Sequence, residues 1–195
     1  MQQEKPSPRK SVATRDEPPS GLLYVPDFTS EHEEAELVRG IEELEFHAVV
    51  MHDTPARRTT AHFGWDYGYE SRDIHPAEPI PDFLTGLRER AAGLIDVAPD
   101  ALAEVLLTRY PPGATIGWHR DAPMFGPEVV GVSLLGPCVM RFRRRAGTGF
   151  VRYDQPLARR SAYVLGGAAR TIWQHSIPAV PALRYSVTFR TLKNG

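Results

Sequence analysis

From Thr108 to Asp121 the chain reads Thr-Arg-Tyr-Pro-Pro-Gly-Ala-Thr-Ile-Gly-Trp-His-Arg-Asp. This is a strand end, a Pro-Pro-Gly turn and a second strand closing on His119 and Asp121. Side chains alternate faces along a strand, so residues i and i+2 project together, and an imidazole and a carboxylate converge on one space. One more imidazole from a distant part of the chain completes a two-His, one-carboxylate facial set. Such a set holds non-haem Fe(II) and leaves coordination positions open. His175, in Ile-Trp-Gln-His-Ser-Ile-Pro, is the distant candidate. His32-x-Glu34 repeats the spacing without the meaning, because that segment reads as a helix, where residues two apart diverge.

The segment from Arg184 to Arg190 offers a second set. Arg184, Ser186, Thr188 and Arg190 share one face of a strand, and Tyr185, Val187 and Phe189 share the other. In a plain sandwich the apolar face takes the core and the polar face meets solvent. In a jelly roll that encloses a ligand the polar face lines the lumen. There the fixed fork of donors on arginine suits a dicarboxylate.

The elements that must position these residues can be read around them. Ser30 followed by Glu33 is a capping box, and Ala35, Leu37, Val38, Ile41 and Leu44 give the helix it starts an apolar stripe. Ile80-Pro-Asp82 opens a second helix to about Asp96, with Phe83, Leu84, Leu87, Ala91, Leu94 and Ile95 on its buried side. Beyond Ala98-Pro99-Asp100 the chain reads as strands and turns over 104–110, 115–121, 128–135, 139–145, 161–165, 171–177 and 184–192. Two helices followed by six or seven short strands predict a mainly β, α+β fold with helices packed outside a sandwich or jelly roll. No internal repeat, GxGxxG or P-loop pattern is present.

The 195 residues, 42% hydrophobic and 24% charged, suit one domain with a real core. Residues 1–20 are polar and proline-rich and are expected to be a disordered tail, leaving 21–195 as the domain. Cys138 is the one cysteine, which excludes an intramolecular disulfide and fits a reducing compartment. No apolar run approaches the roughly 20 residues of a membrane span, and the N-terminus has no apolar secretory core. A cytoplasmic monomer is the expectation. Charge is unevenly placed. Residues 101–195 carry twelve arginines and Lys193 against Glu104, Asp121, Glu128 and Asp154, while residues 1–100 hold the remaining 10 basic and 20 acidic side chains. Such a split suits an anionic partner for the basic half, or mutual neutralisation of the two halves.

His119-x-Asp121, His175 and Arg184-Tyr-Ser-Val-Thr-Phe-Arg190, in that order, resemble the AlkB-like 2-oxoglutarate- and Fe(II)-dependent dioxygenases. The resemblance covers most of residues 21–195. It implies a double-stranded β-helix with His119, Asp121 and His175 as iron ligands. It also implies Arg184 on the distal carboxylate of 2-oxoglutarate with help from Tyr110, Arg190 near the carboxylate that chelates iron, and Thr108 and Ser186 as further cosubstrate contacts. Thr108 and Ser186 stand where the family's repair members carry Asn, and both keep a hydrogen-bonding hydroxyl. Pro123 stands where repair enzymes often place a base-contacting acid. The implied reaction consumes O2 and 2-oxoglutarate, releases succinate and CO2, and hydroxylates a substrate C–H. On an N-methyl group the product loses formaldehyde.

The substrate is read from weaker signals. Phe63, Trp65, Tyr67 and Tyr69 share one parity, so an unbroken strand sets them on one face, either as core packing or as a stacking surface. The family resemblance puts a nucleotide lid at this stretch, with Trp65 or Tyr67 as the stacking residue. Arg57 and Arg58 just before it, and the Arg141–Arg145 run, suit phosphates or solvent equally. The leading reading is oxidative demethylation of N-alkylated bases in single-stranded or damaged DNA or RNA. Hydroxylation or demethylation of a protein or small molecule, and a non-catalytic binding module, are the competing readings. His47, His52, His62 and His75 read as surface or packing residues, and Trp118, Trp173 and Met140 as core.

Overall fold

The computed structural model describes residues 13–14, 17–51, 54–67 and 74–193. Its first helix, α1 (Glu31–Glu42), starts at the expected capping box. Ser30 Oγ accepts from the Glu33 backbone N–H at 3.1 Å, and Glu33 Oε2 accepts from the Ser30 N–H at 2.9 Å. Leu37 and Ile41 carry its buried face. The second helix is shorter than the apolar pattern suggests. A 3-10 turn over Asp82–Leu84 leads into α2 (Thr85–Gly93), and Leu94 and Ile95 then donate to carbonyls three residues back, which tightens and ends the helix. No helix among the described residues is long and apolar enough to cross a membrane.

Strands are numbered in chain order. The larger sheet runs β2 (Leu22–Val25), β12 (Ser161–Leu165), β9 (Phe125–Leu135), β14 (Arg184–Leu192), β7 (Glu104–Tyr110), β4 (Thr54–Phe63) and β3 (His47–Met51). The smaller sheet runs β1 (Ala13–Thr14), β11 (Gly149–Leu157), β10 (Cys138–Ala146), β13 (Gln174–Ile177) and β8 (Ile116–His119). β5 (Trp65–Tyr67) and β6 (Ile74–Pro76) form a separate ribbon. Among the described residues every pairing is antiparallel except that of β1 with β11. The fold is the expected double-stranded β-helix.

Two cores follow from the alternation of the larger sheet. Val105, Leu107, Val130, Val132, Tyr185, Val187 and Phe189 join Leu37, Ile41, Leu84 and Leu87 on the helix side. Tyr110, Met140, Phe142, Leu157, Tyr163 and Trp173 fill the space between the sheets. The polar face of β14 is buried along its whole length, so it lines the lumen rather than meeting solvent. Burying that face requires partners for every polar atom, which makes the lumen a site.

Several expectations change. β11 and the short helix α3 (Gly167–Thr171) are absent from the sequence reading, and the strand expected over 171–177 begins only at Gln174. Trp173 and Met140 are core, but Trp118 is half-buried on the outer face of the smaller sheet. The aromatic row is broken. Gly64 has φ +76°, and a Cβ there would lie 2.0 Å from the Ala103 carbonyl oxygen, so the chain turns between Phe63 and Trp65. Phe63 packs on the helix-side core while Trp65 opens the β5–β6 ribbon. Tyr69, His52, the side chain of Tyr67 and most of the tail expected over residues 1–20 lie outside the described residues.

Candidate metal centre

His119 ends β8 and His175 lies directly opposite it on β13, with ring centroids 4.2 Å apart. His119 Nδ1 donates to the Gly117 carbonyl at 2.9 Å, which fixes the tautomer and leaves the Nε2 lone pair available. Asp121 sits two residues past the strand, so strand alternation does not place it. Arg170 does, with Nη1 donating to the Asp121 carbonyl at 2.9 Å and Nη2 to that of Ala122 at 2.8 Å. Arg190 Nη2 donates to Asp121 Oδ1 at 2.9 Å. Among the described residues Oδ2 has no hydrogen bond, and it lies buried 3.7 Å from His175 Nε2. One ligand atom from each of His119, Asp121 and His175 lies within 4.8 Å of the others. The carboxylate therefore offers one oxygen to a metal and keeps the other on arginine.

Electrostatics favour the ligating forms. Burial alone would raise the Asp121 pKa, but Arg190, His175, His119 and Arg170 outweigh it and hold the carboxyl well below the usual carboxylate range. Burial pushes His175 down to about 4, against the pull of Asp121, so its imidazole is neutral at physiological pH. With His119 beside them, the neutral His175 imidazole and the Asp121 carboxylate match the donor types of the facial triad.

Arg184 supplies the second half of the site. It is fully buried, paired in register with Tyr110, and its guanidinium carbon lies 5.1 Å from the Tyr110 ring centroid. Nη2 donates to Ser133 Oγ at 2.9 Å, whereas Nε and Nη1 have no hydrogen-bond partner among the described residues. A buried guanidinium facing no carboxylate is costly, and its two open donors match the bidentate demand of a ligand carboxylate. Thr108, Ser186 and Ser133 lie side by side across β7, β14 and β9, all buried. Tyr163 lies over Gly131, where a Cβ would meet its ring at 2.1 Å. Burial raises the pKa of Tyr110 and pushes Tyr163 up to about 12, so both phenols stay protonated as donors.

Arg190 is committed differently from Arg184. Its Nη1 donates to both Glu104 oxygens, at 3.0 and 3.1 Å, while Nη2 holds Asp121. His62, read as a packing residue, brings Nδ1 within 3.8 Å of Glu104 Oε1. Glu104, Ser133, Tyr163 and Arg170 were not anticipated. For Glu104 a signal existed, since it shares strand parity with Thr108 and Tyr110. The others become neighbours of the site only through pairing.

An open groove of about 670 Å³ runs beside Asp121, lined in part by Arg120, Pro123, Phe125, Arg170, Gln174 and Lys193. Arg58 Nη1 donates to the Thr115 carbonyl at 3.4 Å, and Arg57 reaches the Gly113 turn, so both lie against the loop between β7 and β8. Trp65 is half-buried in the β5–β6 ribbon.

The model of the 2OG-Fe(II) oxygenase superfamily matches residues 21–190. The mouse tRNA (carboxymethyluridine(34)-5-O)-methyltransferase ALKBH8 is 31% identical over 172 residues, covering 82% of this chain and 24% of that protein. The alpha-ketoglutarate-dependent dioxygenase AlkB of Escherichia coli is 30% identical over 161 residues, covering 69% of this chain and 70% of that one. The solved structure of OsALKBH1 superposes with a TM-score of 0.70 at 15% identity, over 91% of this chain and 99% of that one, a likeness of fold. The chain spans about a quarter of the length of the vertebrate ALKBH8 relatives it matches. It belongs to the 2OG-Fe(II) oxygenase superfamily, on its AlkB-like branch.

Proposed function

We propose that this chain oxidatively removes N-alkyl groups from nucleic acid bases, with residues 21–195 as the catalytic domain. The observation that carries the proposal is the pairing of the His119–Asp121–His175 centre with Arg184, a buried cation that has two open donors in the same lumen. His119 Nε2, His175 Nε2 and Asp121 Oδ2 would hold Fe(II). Arg184 would take the distal carboxylate of 2-oxoglutarate, with Tyr110, Ser133, Thr108 and Ser186 around it. Iron with 2-oxoglutarate and O2 supplies oxidative decarboxylation to succinate and CO2, coupled to hydroxylation of a neighbouring C–H. The chain's own work is positional. Arg170 and Arg190 fix the aspartate, and the lumen keeps water from the reacting carbon.

The substrate class is supported by the cationic groove beside Asp121, by Arg57 and Arg58 over the adjoining loop, and by the nucleic-acid substrates named for AlkB-like relatives, among them a probable RNA/DNA demethylase of Danio rerio. Trp65 and Tyr67 are the candidates to stack on the target base. A monomer is the default state, and buried Cys138 suits a reducing, cytoplasmic setting. The test is succinate formation from 2-oxoglutarate and Fe(II), with and without a methylated oligonucleotide, using His175→Ala as the blank. Stimulation by the oligonucleotide with loss of its methyl group is the expected result. Turnover without stimulation moves the substrate to proteins or metabolites, and turnover no higher than the blank removes the catalytic proposal.

A further inference from the structure

Among the described residues, the acidic half neutralises only part of the basic half. Arg159 pairs with Glu34, and Arg160 with Asp27 and Glu31. Arg190 holds Glu104 and Asp121 in the interior, and Arg170 and Arg184 are buried in or beside the lumen. Most of the remaining arginines concentrate on β10 and β11. Met140 and Phe142 point into the lumen, so Arg141, Arg143 and Arg145 take the outer face. Trp118 and Gln174 adjoin His119 and His175 in their strands and face outward for the same reason.

On that face the guanidinium of Arg143 lies 4.4 Å from the Trp118 ring centroid and 4.8 Å from that of Phe150, and its Nε donates to Gln174 Oε1 at 2.8 Å. Arg145 stands 5.7 Å from the same Phe150 ring. Pairing sets Arg143 directly opposite Arg152, while Asp154, the acid on these two strands, lies 3.8 Å from Arg141. Like charges directly opposite on one sheet face destabilise the pair. Partial burial and Arg152 both depress the Arg143 pKa. A surface shaped only for solubility intersperses the two signs; this one keeps the repulsion and layers cations on aromatic planes. The strip is also continuous with the site, because Gln174 and Arg120 line the groove beside Asp121.

We propose that the outer face of the smaller sheet, built on Trp118, Arg141, Arg143, Arg145, Phe150 and Arg152, docks the sugar-phosphate backbone of the nucleic-acid strand whose target base enters the groove. The inference rests on the nucleic-acid reading above. Alternate residues along a strand recur every ~6.6–6.8 Å, close to the separation of neighbouring phosphates, and stacked guanidiniums present both charge and a π-face to a strand.

The test is fluorescence anisotropy of the full chain with a labelled, unmodified single-stranded oligonucleotide across a NaCl series. Arg143→Gln/Arg145→Gln/Arg152→Gln is expected to bind more weakly, with a plot of log K against log salt shallower by about 2, since each neutralised phosphate contributes about 0.7 for single strands. The matching triple Lys variant should keep the slope. The Gln variant should melt no lower than the parent, because it removes like-charge repulsion. If the triple Gln variant does not fold, Arg145→Gln/Arg152→Gln on exposed positions should flatten the slope by about 1.4. An unchanged slope in the folded Gln variants overturns the docking surface alone. An equal loss of affinity for polyglutamate also overturns it, by showing a generic anion face. A parent protein that binds no oligonucleotide overturns both this inference and the substrate class.

Discussion

Arg190 joins two carboxylates, Asp121 of the candidate metal centre and Glu104, which also lies 3.8 Å from His62. Glu104 is thus a positioning residue, acting on Asp121 through Arg190. Outer partners of metal ligands typically carry about 10–100-fold in metal affinity or activity. Glu104→Gln is therefore expected to raise the Fe(II) concentration for half-maximal succinate formation about tenfold or more, while leaving KM for 2-oxoglutarate close to the parent value. Glu104→Asp should recover part of the loss. An unchanged Fe(II) dependence would show that Asp121 needs no such support. The shifted pKa values give a second expectation. His175 stays neutral in the folded state down to about pH 4, but takes a proton near its ordinary value of 6.5 when unfolded. The unfolded chain then binds more protons across that window, so the metal-free protein loses stability as pH falls from about 6.5 toward 4. Asp121 adds to the loss only below its ordinary 3.8. Urea midpoints of the parent should fall more steeply than those of His175→Gln between these pH values, and parallel curves would rule the linkage out.

At the scale of elements, Glu34 ties α1 to the far end of the larger sheet. It is 1% exposed, accepts from the Leu135 N–H at 2.8 Å and from Arg159 Nε at 2.7 Å. Leu135 has φ +63°, a left-handed conformation that a leucine adopts only when its surroundings impose it. Glu34→Ala leaves that N–H unanswered at a cost of about 1–3 kcal/mol, and thermal unfolding should show it. A melting point equal to the parent would mean the turn holds itself. What the sequence disclosed follows from period and punctuation. The capping box at Ser30, the alternation of β14 and the strand ending on His119 were legible because each is local, whereas Asp121 lies beyond that strand and is placed by Arg170. β11 was not, since Arg152, Asp154 and Pro156 interrupt its apolar pattern. It pairs along its length only with β10 and touches two residues of β1, so little of it must be apolar. The aromatic row failed at Gly64, whose turn depends on the distant Ala103 carbonyl. Ser133 was invisible for the same kind of reason, because its role depends on Arg184 across a strand pair.

For the whole molecule, the centre bridges the two sheets. Both histidines ride on the smaller sheet, while Asp121 is held by Arg190 of the larger. A metal at this position joins the layers, so Mn(II) at about 100 times its dissociation constant is expected to add about 2.7 kcal/mol of stability, or roughly 5–10 °C in Tm. Asp121→Ala should abolish that shift, and a shift that survives in the variant would place the ion elsewhere.

The position of β14 also sets an order of assembly. It lies between β9 and β7, strands made about 50 to 80 residues earlier, and it carries both Arg184 and Arg190. A nascent chain that has emerged from the ribosome only to Leu183 therefore holds two half-sheets with facing, unfilled edges, the arrangement most open to wrong pairing. It also lacks Arg190, which holds Asp121, and Arg184, whose two open donors mark the proposed cosubstrate site. The strand that closes the larger sheet is also the strand that brings Arg184 and Arg190 to the proposed site.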